Sequence, residues 1–396
     1  MTATKEVAYE IVMTSDIFDP DNPELGKMPG GGVSGGTRLV ALDEDIERLF
    51  GGRIRRYFTI NGIAVEYMVL AGGDEHKTID AVLEVSSRLN RIGTHRVSTP
   101  PIGIGGGVLQ DVVGMAASLY RRGIPYVRVP TTLLGQIDGA VGAKTGVNFE
   151  GARNRLGTFA PPPRTLIDRS LIATLPERQL RSGLGEVLKM ALIKDARLFE
   201  LLEQHGPHLV ADRLQDSGAL PGSPQPGLEV IRRAISGMAE ELQKNLWETD
   251  LQRIVDFGHT FSPLVEMRAL PELQHGEAVA MGCVYSAVLA ANRGLLDTGQ
   301  RDRIIDVTRR LGLACSHPGF ADADLMKQAL ADTVQHRNGH QHLTLPTAVG
   351  ETVFVDDITG TELEIASSYM ADLLAWTTNA DPATEAASAP PAGGLR

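Results

Sequence analysis

The sequence predicts an α/β protein: a largely parallel β-sheet covered on both faces, followed by a mainly helical region. Three observations lead there. Short runs rich in Val and Ile (RLVAL, AVEYMVL, TPPIGIGG, YVRVP, RTLIDR) recur between Arg38 and Arg169. They alternate with longer stretches of helical period, such as TIDAVLEVSSRLNRIG and LQDVVGMAASLYRRG, which is the pattern of parallel strands joined by helical crossovers. After about Leu175 the strand-like runs stop. RQLRSGLGEVLKMALIKDARLFELLEQ, GLEVIRRAISGMAEELQKNL, GEAVAMGCVYSAVLAANRG and GQRDRIIDVTRRLG all carry helical period instead.

The order of segments suggests an N-terminal arm or loop over 1–37, where DIFDPDNPELGKMPGGGVSGG is rich in turn residues. An α/β domain is expected over 38–175 and a helical domain over 176–375. Asp216 to Gly227 is a Pro/Gly-rich exposed loop, and 376–396 is a tail without a core-forming pattern, expected to be disordered. A chain of 396 residues, 42% hydrophobic and 22% charged, is ordinary for a soluble globular protein of about two domains. The net charge of −11 disfavours a nucleic-acid surface, which would need a basic face. No apolar run approaches the ~18–20 residues of a membrane span, and MTATKEVAYEIVM has no secretion-signal pattern. Cys283 and Cys315 stand in no metal-like spacing, so a reducing, cytoplasmic setting fits.

In the first half, the run IGIGGGVLQD carries a strand into Gly105, Gly106 and Gly107, after which a helix opens. Glycines let a phosphate approach the backbone, and a helix N-terminus offers free N–H groups. A tight strand-to-helix turn explains the same residues. Asp111, on the first turn, would suit a sugar or ligand hydroxyl. Next comes VPTTLLGQIDGAVGAKTGVNFEGARNRLGTF, too rich in Gly, Thr, Asp, Lys and Asn for a core. Thr131, Thr132, Asp138, Lys144 and Asn154 are each explicable as caps or surface groups, but their clustering after one strand favours a site. GGDEHKT is either a capped helix start or the place where Asp74 and Lys77 hold an adenosine.

In the second half, Glu186 and Lys189 lie three apart on an otherwise apolar helix and therefore share a face. They are either an ion pair or, with His259 and His275, part of a three-ligand metal site with one open position, as catalytic zinc sites have.

GGGVLQD, VPTTLLGQIDGAVGAKTGVN, GARNRLGTF, TLPERQLRSGLGEVLKMALI, DFGHTF and QHGEAVA resemble the dehydroquinate synthase superfamily of sugar-phosphate cyclases, in the family's order and from about Arg38 to Gly350. The resemblance implies a Rossmann-like, parallel-sheet NAD-binding domain, a helical metal-binding domain, an active site in the cleft and a homodimer. It implies Glu186, His259 and His275 as Zn²⁺ (or Co²⁺) ligands. Asp43, Asp74, Lys77, Gly105, Gly106, Gly107, Thr131, Thr132, Arg153 and Thr174 would line NAD, with Asp111, Asp138 and Lys144 where cofactor and substrate meet. Lys144, Asn154, Lys189 and Arg122 would hold the substrate and its phosphate, Arg122 from across the dimer. Lys189, Asp138, Lys144 and Glu248 are the implied catalytic groups.

Departures from the family pattern narrow the substrate. Where dehydroquinate synthases read N-F-G-H-[ST]-x-G-H, this chain reads DFGHTFSP, with Asp256 for the asparagine and Pro263 for the second histidine. Gln252 and Met238 replace an arginine and a lysine that serve a substrate carboxylate, and Arg253 stands one place off. The pattern is similar to the sedoheptulose 7-phosphate cyclases, where Asp256 and His336 would face substrate. Gly282 stands where many such synthases have aspartate. The implied chemistry is transient oxidation by NAD, phosphate elimination, re-reduction and intramolecular aldol closure, without net redox change. A true dehydroquinate synthase, a metal-dependent NAD alcohol dehydrogenase and a non-catalytic metal-stapled binding protein are the alternatives.

Overall fold

The structure, a computed structural model, describes residues 2, 4, 6–27, 35–220 and 222–379. It divides into two compact units: Met1–Ala191 with Asp195–Asp250, and Leu192–Lys194 with the chain from Leu251 on.

Unit 1 is built on a six-stranded, all-parallel sheet. Its elements are β1 (Glu10–Thr14), β2 (Arg38–Asp43), α1 (Glu44–Ile60), β3 (Val65–Leu70), α2 (Ile79–Arg91), β4 (Ile102–Gly105), α3 (Gly107–Leu119), β5 (Val127–Pro130), β6 (Lys144–Phe149), β7 (Ala152–Phe159), β8 (Arg164–Asp168), α4 (Glu177–Lys194), α5 (Ala196–Ala211) and α6 (Pro226–Lys244). The sheet order is β1-β8-β5-β4-β2-β3. One face packs Phe50, Ile54, Tyr57 and Phe58 of α1 over Val40, Leu42, Ile104 and Val129. The other packs Val82, Val85 and Leu89 of α2 and Val112, Val113 and Ala116 of α3 over Leu39 and Ala41. Strands β2 to β5 and β8 are the five Val/Ile-rich runs; β2, β4, β5 and β8 are buried on both faces as an inner parallel strand requires, and the edge strand β3 is partly buried. The order reverses between β2 and β4, so the carboxyl ends of those strands frame the crevice where open α/β sheets bind ligands.

Two sequence expectations change. The 1–37 stretch is not a free arm: Glu10–Thr14 pairs with β8 in parallel register, and Ile17, Phe18 and Leu25 are buried in the core. The turn residues around EIVM and IF hid these short apolar segments. By packing, α4 to α6 group with the sheet as far as Asp250. Hydrophobic period identifies a helix but not the surface it covers. Gly183 of α4 is packed so close to Leu133 that a Cβ there would lie 2.7 Å from the Leu133 side chain. The long helical run over 178–204 is broken by Asp195, whose side chain caps α5 through Leu198 N–H.

Unit 2 comprises α7 (Ser262–Arg268), α8 (His275–Asn292), α9 (Thr298–Arg310), α10 (Pro318–Ala321), α11 (Ala323–His336), β9 (Leu343–Ala348), β10 (Glu351–Val355) and α12 (Gly360–Asn379). It is helical apart from the antiparallel β9–β10 hairpin, which the sequence reading missed. Helix α8 is buried without a break from Ala278 to Ala290, which explains its nearly all-apolar composition. Of the expected tail, 376–379 continue α12 and 380–396 lie outside the described residues.

Candidate active site

In unit 1 the expected nucleotide residues gather at the carboxyl ends of β2, β4 and β5. Asp43 ends β2. One oxygen accepts from Ile46 N–H at 2.8 Å and so caps α1; the other accepts from Gly106 N–H at 3.1 Å. It thus ties two strands together at the point where the sheet order reverses. Burial pushes its carboxyl above the usual range, against the pull of those two N–H groups. Gly105 is required here, since a Cβ would come within 2.7 Å of the Asp43 carboxylate. Thr131 N–H reaches Gly105 O at 3.1 Å, and Thr132 Oγ1 accepts from Gly135 N–H at 3.0 Å. That bond starts the wide turn Gly135–Gly139, closed by an i→i+5 bond from Ala140 N–H to Gly135 O, and Asp138 sits on it half-buried. Such π-type turns are uncommon and often functional.

The second gathering joins the 74–77 turn to the β6–β7 hairpin. Lys77 Nζ lies 2.5 Å from both Asp111 Oδ2 and Asn154 Oδ1. Arg153 donates to Asp74 Oδ1 at 3.2 Å, and Asn148 donates to Asp74 Oδ2 at 3.0 Å. Lys77 is buried at 6% exposure, so its charge rests on these partners. Asn154, with φ of 51°, turns its side chain inward to Lys77. Lys144, largely exposed, pairs with Glu248 at 2.8 Å. On α4, Glu186 and Lys189 form a buried pair at 2.5 Å, the ion pair their spacing suggested. Two expected residues stand apart from these networks. Thr174 is exposed and closes its own turn on Leu171 O, and Arg122 is exposed with φ of 65°.

In unit 2 the rings of His259 and His275 are 5.3 Å apart, centroid to centroid. His259 Nδ1 meets Phe257 O at 3.1 Å, and His275 Nδ1 meets Glu266 Oε2 at 3.0 Å. A carbonyl and a carboxylate can only accept. Each Nδ1 therefore carries the proton, and Nε2 becomes the ligand atom in both rings, the second-partner arrangement typical of metal-bound histidine. Glu266, 4% exposed, is a functional residue the sequence reading missed. Its signal was a lone carboxylate one turn into the helix that Pro263 opens. Proline suits a first helical turn, where no N–H is needed. The residue in place of the family's second histidine thus starts the helix that orients His275.

Gly282 on α8 and Gly258 before His259 meet backbone to backbone. A Cβ on Gly282 would lie 2.2 Å from Gly258 O, and Gly258 holds φ of 80°. An aspartate at 282 has no room in this packing.

Asp256 faces arginines. Arg253 reaches it through Nε at 3.2 Å and Nη2 at 2.8 Å, and Arg337 Nη2 lies 3.3 Å away. Arg337 also donates to Gln341 O and His342 O. Burial lowers its proton affinity; Asp256 opposes this and Arg253 adds to it. His336, next to it, is exposed. His340, His342 and Asp356 form a further donor group. It is largely exposed, and His342 Nδ1 already meets Gln252 at 3.2 Å, so it stands as a hydrogen-bonded surface cluster.

Among the described residues no helix is long and apolar enough to cross a membrane. Family models for the 3-dehydroquinate synthase N-terminal and C-terminal regions match residues 67–182 and 183–335. The chain is 48% identical over 372 residues to 2-epi-5-epi-valiolone synthase of Streptomyces hygroscopicus subsp. jinggangensis, covering 94% of this chain and 89% of the relative. It is 48% identical over 365 residues to the synthase of that name from an Actinoplanes strain, covering 92% and 91%. The solved structure of ValA, the 2-epi-5-epi-valiolone synthase of the same Streptomyces with NAD⁺ and Zn²⁺ bound, superposes with a TM-score of 0.86 at 46% identity, over 94% of this chain and 99% of that one. The chain belongs to the dehydroquinate synthase family of sugar-phosphate cyclases.

Proposed function

We propose that the chain is a lyase that converts sedoheptulose 7-phosphate to 2-epi-5-epi-valiolone and phosphate, with NAD and Zn²⁺ (or Co²⁺) as cofactors. Full-length likeness to ValA carries this reading. Glu186, His259 and His275 supply the metal donors, one carboxylate oxygen and two imidazole nitrogens, a set suited to zinc. Nδ1 of each imidazole is committed to a pure acceptor, as a ligating ring requires.

When bound, NAD and the metal supply transient oxidation and polarisation of the sugar hydroxyls. This chain's residues bind and orient. Asp43, Gly105, Gly106, Gly107, Thr131 and Thr132 line the cofactor at the strand ends. Asp74 and Lys77 would hold its adenosine, Arg153 would line it, and Asp111 and Asp138 would lie where its nicotinamide end meets the substrate. Lys144 and Glu248, an ion pair at 2.8 Å, are the groups that pass a proton to or from substrate. Lys189 pairs with the Glu186 carboxylate beside the metal donors. Arg122 reaches the substrate phosphate of the other protomer in a homodimer, and the enzyme works in the cytoplasm.

The test is incubation with sedoheptulose 7-phosphate and catalytic NAD⁺. Phosphate and cyclitol should appear in equal amounts while reduced-nicotinamide absorbance stays flat. Absorbance rising with product would show a dehydrogenase. Gly282, which departs from the pattern, favours keeping a second epimer as the alternative product, and NMR of the cyclitol decides between them.

A further inference from the structure

We infer that Asp256 is a specificity-determining residue that acts by holding Arg253 in an internal fork, so that no guanidinium from this segment serves a substrate carboxylate. The inference rests on the proposed cyclase reading and adds the device by which carboxylates are refused.

The segment is a run of tight turns. Asp256 N–H bonds Arg253 O at 3.1 Å, Phe257 N–H bonds Ile254 O at 3.0 Å, and His259 N–H bonds Asp256 O at 2.9 Å. Arg253 and Asp256 are thereby fixed in register with the candidate metal ligand His259. Arg253 lies one position from where the family's carboxylate-binding arginine stands, and is the cation of this segment that a carboxylate would recruit. Asp256 opposes it. Both of its oxygens engage Arg253, at 2.8 Å through Oδ1 and at 3.0 and 3.2 Å through Oδ2. This planar fork is the strongest geometry an arginine and a carboxylate can make. Arg337 closes on Oδ2 from the other side at 3.3 Å and is itself anchored by two carbonyls of the 341–342 segment. Asp256 is 17% exposed and Arg253 20%, so water replaces these bonds poorly. An asparagine, the family's residue at this position, offers one neutral acceptor oxygen and two N–H donors that repel a guanidinium. It cannot hold Arg253 in this way. The Asp256 carboxylate is also nearly saturated by its arginines. It is therefore a positioning residue for specificity.

The experiment compares full-length wild type, Asp256→Asn, and Asp256→Asn with Arg253→Met. Binding of two C7 sugar phosphates is measured by calorimetry: sedoheptulose 7-phosphate and the carboxylate-bearing substrate of dehydroquinate synthase. Asp256→Asn should tighten binding of the carboxylate ligand about 10- to 100-fold, the gain of one charge-assisted bond. The added Arg253→Met should abolish that gain and leave the carboxylate-free ligand unaffected by the same factor. An Asp256→Asn protein with unchanged preference, or a gain that survives loss of Arg253, overturns the inference. If Asp256→Asn does not fold, as judged by its thermal transition, Asp256→Ser removes the same charge and replaces it. These arms read binding alone. Failure of wild type to release phosphate from sedoheptulose 7-phosphate would count against the cyclase reading and not against the fork.

Discussion

The nucleotide side of unit 1 and the imidazole side of unit 2 hold their functional groups by different means. In unit 1, Lys77, Asp111, Asn154, Asp74 and Arg153 are bonded to one another. Their positions come from charge pairs, which a ligand must join or displace. In unit 2, His259 and His275 are each aimed through Nδ1 by a pure acceptor, and the turn beneath His259 is set by two glycine backbones in contact. Charge networks yield gradually, since each member keeps other partners. A steric fit has no such reserve, because close-packed atoms cannot give way by an ångström.

If that contrast holds, the largest effect belongs to His275→Ala. It should remove bound metal and lower turnover by a factor on the order of 10³ or more, while NAD binding to the sheet side persists. Elemental analysis beside cofactor titration checks both; a metal-replete, active variant would contradict the ligand assignment. Next comes Gly282→Ala. One methyl group forces the 257–259 turn away from α8, so metal affinity should fall about 10- to 100-fold and stability by about 1–3 kcal/mol. Unchanged metal content would mean that the imidazole side is softer than its packing implies. Lys77→Met should weaken NAD binding by roughly 10- to 100-fold, one charge-assisted bond, without changing metal content. Loss of metal as well would break the proposed independence of the two sides.

The smallest effect tests an anchoring pair far from either side. Arg293 holds the Glu362 carboxyl down to about 2. A lowered carboxyl stabilises the fold above its unfolded value, and that contribution is lost as pH falls through about 2. Glu362→Gln should cost about 1 kcal/mol near neutrality, as a partly exposed pair does. Its thermal midpoint should converge with wild type as pH falls from 4.5 toward 2. A gap that stays constant would assign the effect to packing.

Much of this could be read from residues. The inner strands β2, β4, β5 and β8 announced themselves because strands buried on both faces must be continuously apolar, and the edge strand β3 keeps enough apolar residues to be read beside them. His259, His275 and Glu186 stood out because polar groups at small-residue or apolar sites need a reason to be there. Other features left no such trace. β1 is five residues among turn formers, and its burial comes only from pairing with β8, more than 150 residues away. The assignment of α4 to α6 to the sheet unit depends on contacts such as Gly183 with Leu133, which no periodicity encodes. Glu266 and the fork on Asp256 are partnerships between residues whose identities were visible and whose proximity was not.

The contact between Gly258 and Gly282 also bears on descent. An exchange of Gly282 for aspartate in this chain is not a neutral step, since any side chain there meets the carbonyl of 258. The turn bearing His259 has to be rebuilt first. A single exchange at 282 is therefore a poor probe of what that aspartate does. Its effect is read through the backbone of the 257–259 turn, which any side chain at 282 displaces.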